Sequence, residues 1–231
     1  MAIAIVDITS DHHPSNGGSD PMTLTYPATV NAGDLLFCAS GGDNSSQTYT
    51  WPSPWTKVSE MVNSQSGFST AFLVADGTEG GNTFDLDLNV ADENAWVFFR
   101  ITGAVDPAVT AIEHSASNNA TDTAPNPLAV TLAGGSKEYL FIAISLSDSN
   151  DNISSGPSGY INLGQDKRPA SGTGTIAWAT KIATTAGPED PSAFTLDTLE
   201  QWTCAVFAIS PDAGGGSIVP LITQQYYQRN N

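Results

Sequence analysis

The chain runs through one order of segments twice, and this near-repetition constrains its fold more than any other feature. Ala32-Gly33-Asp34-Leu35-Leu36-Phe37-Cys38-Ala39-Ser40 has a weaker counterpart about a hundred residues later, Ser136-Lys137-Glu138-Tyr139-Leu140-Phe141-Ile142-Ala143-Ile144-Ser145. Each copy is followed by a Pro-containing loop with a large aromatic, a strand ending in aliphatic and Ala residues, a Phe-initiated alternating strand and a last apolar strand. The loop aromatics are Trp55, in Pro52-Ser53-Pro54-Trp55, and Tyr160, in Pro157-Ser158-Gly159-Tyr160. An aromatic present in both halves reads as a core plug. The spacing of matched positions drifts from about 104 residues at Leu36 and Leu140 to about 108 at Ile101 and Ile209. Small loop insertions would produce that drift while the strands keep their register.

These segments read as strands. Short runs of Val, Ile, Thr and aromatics recur between Gly, Pro, Asn and Asp clusters, and no long window repeats at three and four. Residues 35–39 are nearly all apolar, as a central strand covered on both faces would be, and residues 95–102 and 203–210 are too apolar for an edge. Phe84-Asp85-Leu86-Asp87-Leu88 alternates between core and water. Residues 10–21, with His12, His13, two Gly and two Pro, read as a loop. The expectation is an all-β fold, a jelly-roll-like β-sandwich built from two internally repeated Greek-key halves, about 1–104 and 105–211, within one domain over 1–211. Residues 103–110 are neither long nor Gly/Ser-rich, as a linker between independent domains would be. Residues 212–231 stand outside the repeat as a Gly-rich linker and C-terminal arm.

Charge narrows the partners. Asp and Glu outnumber Lys and Arg 24 to 7, and the formal net charge is −17. That charge repels phosphate backbones and anionic membrane surfaces, so no nucleic-acid partner is expected. No apolar run approaches the roughly 20 residues that span a bilayer, so no membrane insertion is expected. The first seven residues alternate like a strand and lack the basic region and cleavage site of a secretory signal, so export by the usual route is not expected either. Cys38 and Cys204 sit in apolar strand patterns and are expected to be buried free thiols. The three histidines fit no zinc spacing, and the chain has no nucleophile elbow or phosphate-cradling Gly motif. The expectation is a protein that is not an enzyme, with no cofactor and no metal.

The segment order resembles a widespread family of duplicated β-sandwich proteins encoded by tailed bacteriophages and prophages, with relatives among bacterial surface proteins. The residues that carry it are 32–36, 54–58, 74–79 (Val-Ala-Asp-Gly-Thr-Glu), 96–104 and 208–211. The resemblance covers about 200 residues and leaves the C-terminal tail outside. It implies a virion structural protein, expected as a capsid-surface decoration or head-spike protein acting by protein–protein binding. Its implied partners are other virion proteins, with a homo-oligomer expected. The alternative it implies is a glycan-binding adhesin or tail-associated accessory module that contacts a host-surface glycan. It supplies no catalytic residues.

Four places invite a site. Tyr49 and Trp51 could form an exposed aromatic plate for glycan, Trp51 having no match in the second half; packing against the Pro-rich loop is the plainer reading. Asp148-Ser149-Asn150-Asp151-Asn152 offers hard oxygen donors of the kind Ca²⁺ takes, against a polar turn tip. His12 and His13 lie beside Asp11, but adjacent strand residues point to opposite faces, which favours a solvated loop over a metal site. Ile218, Val219, Leu221, Ile222, Tyr226 and Tyr227 give the arm apolar surface to bury, and docking on another chain is the expectation for it.

Overall fold

The computed structural model describes residues 2–13, 20–44, 46–63, 65–167 and 174–212. Eight strands belong to the first half: β1 (Ala4–His12), β2 (Met22–Thr25), β3 (Leu35–Gly42), β4 (Tyr49–Thr50), β5 (Thr56–Val62), β6 (Gly67–Val74), β7 (Thr83–Leu88) and β8 (Asn94–Thr102). Eight more follow: β9 (Glu113–His114), β10 (Asn118–Asp122), β11 (Lys137–Ser147), β12 (Ile153–Ser155), β13 (Ile161–Lys167), β14 (Thr175–Thr185), β15 (Thr195–Leu196) and β16 (Glu200–Ile209). No helix occurs among the described residues, so the all-β expectation holds.

In the first half a five-stranded sheet, β1-β8-β3-β6-β5, is accompanied by a three-stranded sheet, β2-β7-β4. β1 pairs with β8, β2 with β7 and β3 with β6, all antiparallel. Such nested pairing, with successive strands passing between two sheets, is a long hairpin rolled up on itself, the jelly roll. β5 departs from it by pairing with β6 at the edge of the large sheet. The second half has the order β10-β16-β11-β14-β13, with β9 on β16, and a two-stranded sheet β12-β15. Position for position the two large sheets share one strand order. Where β2 stands in the first half, residues 123–125 run beside β15, Thr123 O and Pro125 O accepting the N–H groups of Leu196 and Phe194.

The large sheets face each other. Alternation on β3 sends Leu35, Phe37 and Ala39 into a shared core with Leu140, Ile142, Ile144 and Leu146 of β11. The other β3 face, with Leu36 and Cys38, packs under the small sheet on Met22, Leu24, Leu86 and Leu88. Likewise Ala143 meets Ile153, Phe194 and Leu196, while Tyr139 and Phe141 meet Val130 and Leu132. The result is four sheet layers. The inner strands are buried on both faces, which is why residues 35–39 read as one apolar run. Cys38 and Cys204 are buried free thiols, as expected.

The ladders show which residues occupy equivalent places in the two large sheets, and they differ by one from the expected match of Leu36 with Leu140. Leu35 pairs with Val74 and Ile101, and Leu140 pairs with Ile182 and Ile209, so Leu35 and not Leu36 is the counterpart of Leu140. One residue matters because it reverses the face: Leu35 and Leu140 enter the shared core, and Leu36 points the other way. Residues 10–12 are also not loop. They extend β1, with Ser10 opposite Val97 and His12 opposite Ala95.

No ladder joins the halves among the described residues. They are held by the shared core and by polar contacts: His12 Nδ1 to Asp166 Oδ1 at 2.8 Å, and Asn63 Nδ2 donating to Trp202 O at 2.9 Å. The crossing segment is tied at its start to the end of the second half by one antiparallel bridge, Ala104 opposite Pro211, with Val105 N–H donating to Ser210 O and Asp212 N–H to Gly103 O.

Candidate functional site

The 49–55 segment closes the first half from inside. The Trp55 N–H donates to Pro52 O, and the matched Tyr160 N–H donates to Pro157 O, so both Pro-x-x-aromatic stretches are turns that drive a ring inward. Trp55 stacks on Tyr26 at 6.0 Å, donates through Nε1 to the Tyr26 hydroxyl at 3.0 Å, and meets Trp51 at 5.4 Å. Trp51 is 8% exposed and donates Nε1–H to Ser69 Oγ at 2.9 Å. Tyr49 is 1% exposed, its hydroxyl donating to Gln47 Oε1 at 2.6 Å, and burial pushes its ionisation well above the ordinary phenol range. The exposed glycan plate at Tyr49 and Trp51 is therefore corrected: both rings are core, with their polar atoms satisfied inside.

The 148–152 loop turns its oxygens inward as well. Lys167 Nζ donates to Asn150 O at 2.9 Å and to Asn152 Oδ1 at 2.8 Å, placing an ammonium among the donors that a cation would need. The Thr175 hydroxyl donates to Ser149 O at 2.7 Å, and the Thr198 hydroxyl donates to the Asp151 carboxylate. No group of three or more His, Cys, Asp or Glu side chains suited to a metal occurs among the described residues. The solvated-loop reading of His12 and His13 is corrected too. His12 faces Asp166 across the halves, and His13 is 8% exposed with its N–H on Asn94 O.

Two carboxyl pairs are not legible in the sequence alone. Asp43 follows β3 and Asp92 precedes β8; because β3 and β8 are antiparallel with Gly42 opposite Asn94, the two carboxyls come together. Burial, then the neighbouring Asp92, push Asp43 up to about 7, and burial raises Asp92 too, with Glu93 adding to both. In the second half Asp148 follows β11 and Glu200 opens β16, and burial together with Glu200 pushes Asp148 up to about 6. An ideal Cβ built on Gly174 would lie 3.2 Å from Ser147 O and 3.4 Å from Asp43 N, so the chain just after β3 and that just before Asp148 approach the same residue. Both pairs stand at one end of the seam between the halves. The only sequence signal is an acid just past one central strand and another just before its partner, which becomes legible once the register is known.

The opposite end of the seam is open. Gly33, Leu35, Val74, Ala104, Asp106 and Asp212 line one recess there. Beside it a groove of about 350 Å³ is lined by Val58, Phe72, Pro107, Ala108, Ala111 and Ile112. Val109, in the same crossing segment, is 78% exposed. The arm residues Ile218, Val219, Leu221, Ile222, Tyr226 and Tyr227 lie outside the described residues.

Fold and surface together define an all-β protein of antiparallel sheets packed as in a β-sandwich, with open apolar surface at one end of the seam between its two large sheets. Comparison with family models, with curated proteins and with solved structures finds no match for this chain.

Proposed function

We propose that this chain is a structural protein of a tailed-bacteriophage particle, carried on the capsid surface as a decoration or head-spike protein. It acts by protein–protein binding, performs no chemistry, and takes other virion proteins and copies of itself as partners. The observation that carries this reading is that the segments resembling phage sandwich proteins are scaffold-forming. In Ala32-Gly33-Asp34, Gly33 takes φ 86° and the Asp34 carboxylate accepts from Asn31 N–H and, at 2.6 Å, from Arg100 Nε. In Asp76-Gly77-Thr78-Glu79 the Glu79 carboxylate accepts the N–H groups of Asp76 and Gly77. A likeness made of turns and core is a likeness of scaffold, and jelly rolls are a recurrent capsid architecture. The glycan-binding alternative, which draws on Tyr49, Trp51 and the 148–152 loop, has less support because both rings are buried.

Antibody-gold labelling of purified particles tests the proposal, with mass spectrometry of the same preparation. Label on heads at a fixed copy number per particle is the expected result. Label on tails would reassign the protein to a tail accessory role. Absence from particles while it is abundant in the lysate would overturn the virion reading.

A further inference from the structure

We propose that Ile218-Val219-Pro220-Leu221-Ile222 of the chain's own C-terminal segment docks in the seam groove lined by Val58, Phe72, Pro107, Ala108, Ala111 and Ile112. This inference does not depend on the virion reading. Three observations converge on it. The first is where the described chain ends. Asp212, whose N–H is held by Gly103 O, lines the recess beside the groove, and the adjacent residues Asp106 and Pro107 contribute to the recess and the groove respectively. Residues 213–217 span at most about 18 Å when extended, at about 3.3–3.6 Å per residue, so the apolar stretch begins within reach.

The second observation is chemical. The groove is mainly aliphatic, with Phe72 and Val58 only partly covered by the shared core behind them. The stretch that follows the glycines supplies four aliphatic side chains in five residues. Pro220 removes one backbone donor and favours an extended strand-like path, which is tolerated beside an edge strand such as β5.

The third is charge. All 24 acidic residues precede residue 213, and Arg229 is the one charged side chain after it. Lys57, which with Thr56 also lines the groove, is the cation there and is paired with Glu60 at 2.7 Å. The groove therefore offers an acidic peptide one cation that already has a partner, on a body that repels it, whereas an uncharged apolar segment meets no such barrier. A short tether also gives this segment a high effective concentration at the groove, which a free partner lacks.

The test uses the full chain with two added cysteines, Ala111→Cys and Leu221→Cys. Ala111 is exposed, and the native Cys38 and Cys204 are buried and do not compete. A control pairs Leu221→Cys with Thr23→Cys, an exposed position in the small sheet beyond the far face of the five-stranded sheet. Under mild oxidation, followed by non-reducing electrophoresis and peptide mass spectrometry, the groove variant should close an intramolecular disulfide at least about tenfold faster than the control. Equal rates would overturn the groove assignment. A disulfide found between chains would overturn the own-chain occupant and make the groove an acceptor for a second copy.

Discussion

At the scale of single residues, two glycines in the first half are required for different reasons, and substitution separates them. Gly33 has nothing within 4 Å of an added Cβ, but its φ of 86° lies in the left-handed region. Gly33→Ala should therefore cost about 1 kcal/mol from backbone conformation alone. Gly41 has an ordinary backbone and no room: a Cβ there would stand 2.7 Å from Phe68 Cβ, 2.8 Å from Gly67 O and 2.9 Å from Leu146 Cδ2. The register makes Leu146 the counterpart of Gly41, so one half supplies the side chain for which the other leaves space. Backbone cannot retreat as a flexible side chain can, so Gly41→Ala should cost about 1–3 kcal/mol. Urea denaturation of both variants checks the order; a Gly41→Ala protein no weaker than Gly33→Ala would contradict the packing argument.

At the scale of elements, most strands were legible because strand burial follows sequence pattern. The central run at residues 35–39, the alternation at 84–88 and the too-apolar strands at 95–102 and 203–210 all correspond to strands in place. What the pattern could not supply was register. Nothing in Leu35-Leu36 says which leucine enters the shared core, since both are buried, and the answer depends on pairing with Val74 and Ile101. The same blindness hid the carboxyl pairs, which exist only because antiparallel neighbours bring residue 43 beside 92. His12 looked like loop because Gly and Pro follow it closely. Trp51 is the instructive case: it has no counterpart in the second half, which admits a binding reading beside the plainer packing one, and the structure places it in the core under the three-stranded sheet. Trp51→Ala should therefore destabilise the protein by about 3–5 kcal/mol. A melting temperature unchanged by that substitution would mean the ring is not core.

At the scale of the whole molecule, the chain carries a net charge of −17, and the two carboxyl pairs make its stability sensitive to pH. Asp43, held at about 7 by burial and by Asp92 and Glu93, and Asp148, held at about 6 by burial and by Glu200, keep protons in the folded state that they would release when unfolded, where a carboxyl titrates near about 4. Between those limits the native state binds more protons than the unfolded one, so the unfolding free energy falls as pH rises. The contribution is fully present below about pH 4 and is lost as pH passes through about 6 and about 7. General repulsion among surface carboxylates has the same sign, but salt screens it, whereas partly buried pairs are screened much less. The urea midpoint should therefore drop between pH 5 and pH 8 in moderate salt, and the Asp43→Asn/Asp148→Asn variant should drop distinctly less, because an amide has no proton to lose. Equal drops in the two proteins would place the pH sensitivity in the overall charge and not in the two carboxyl pairs.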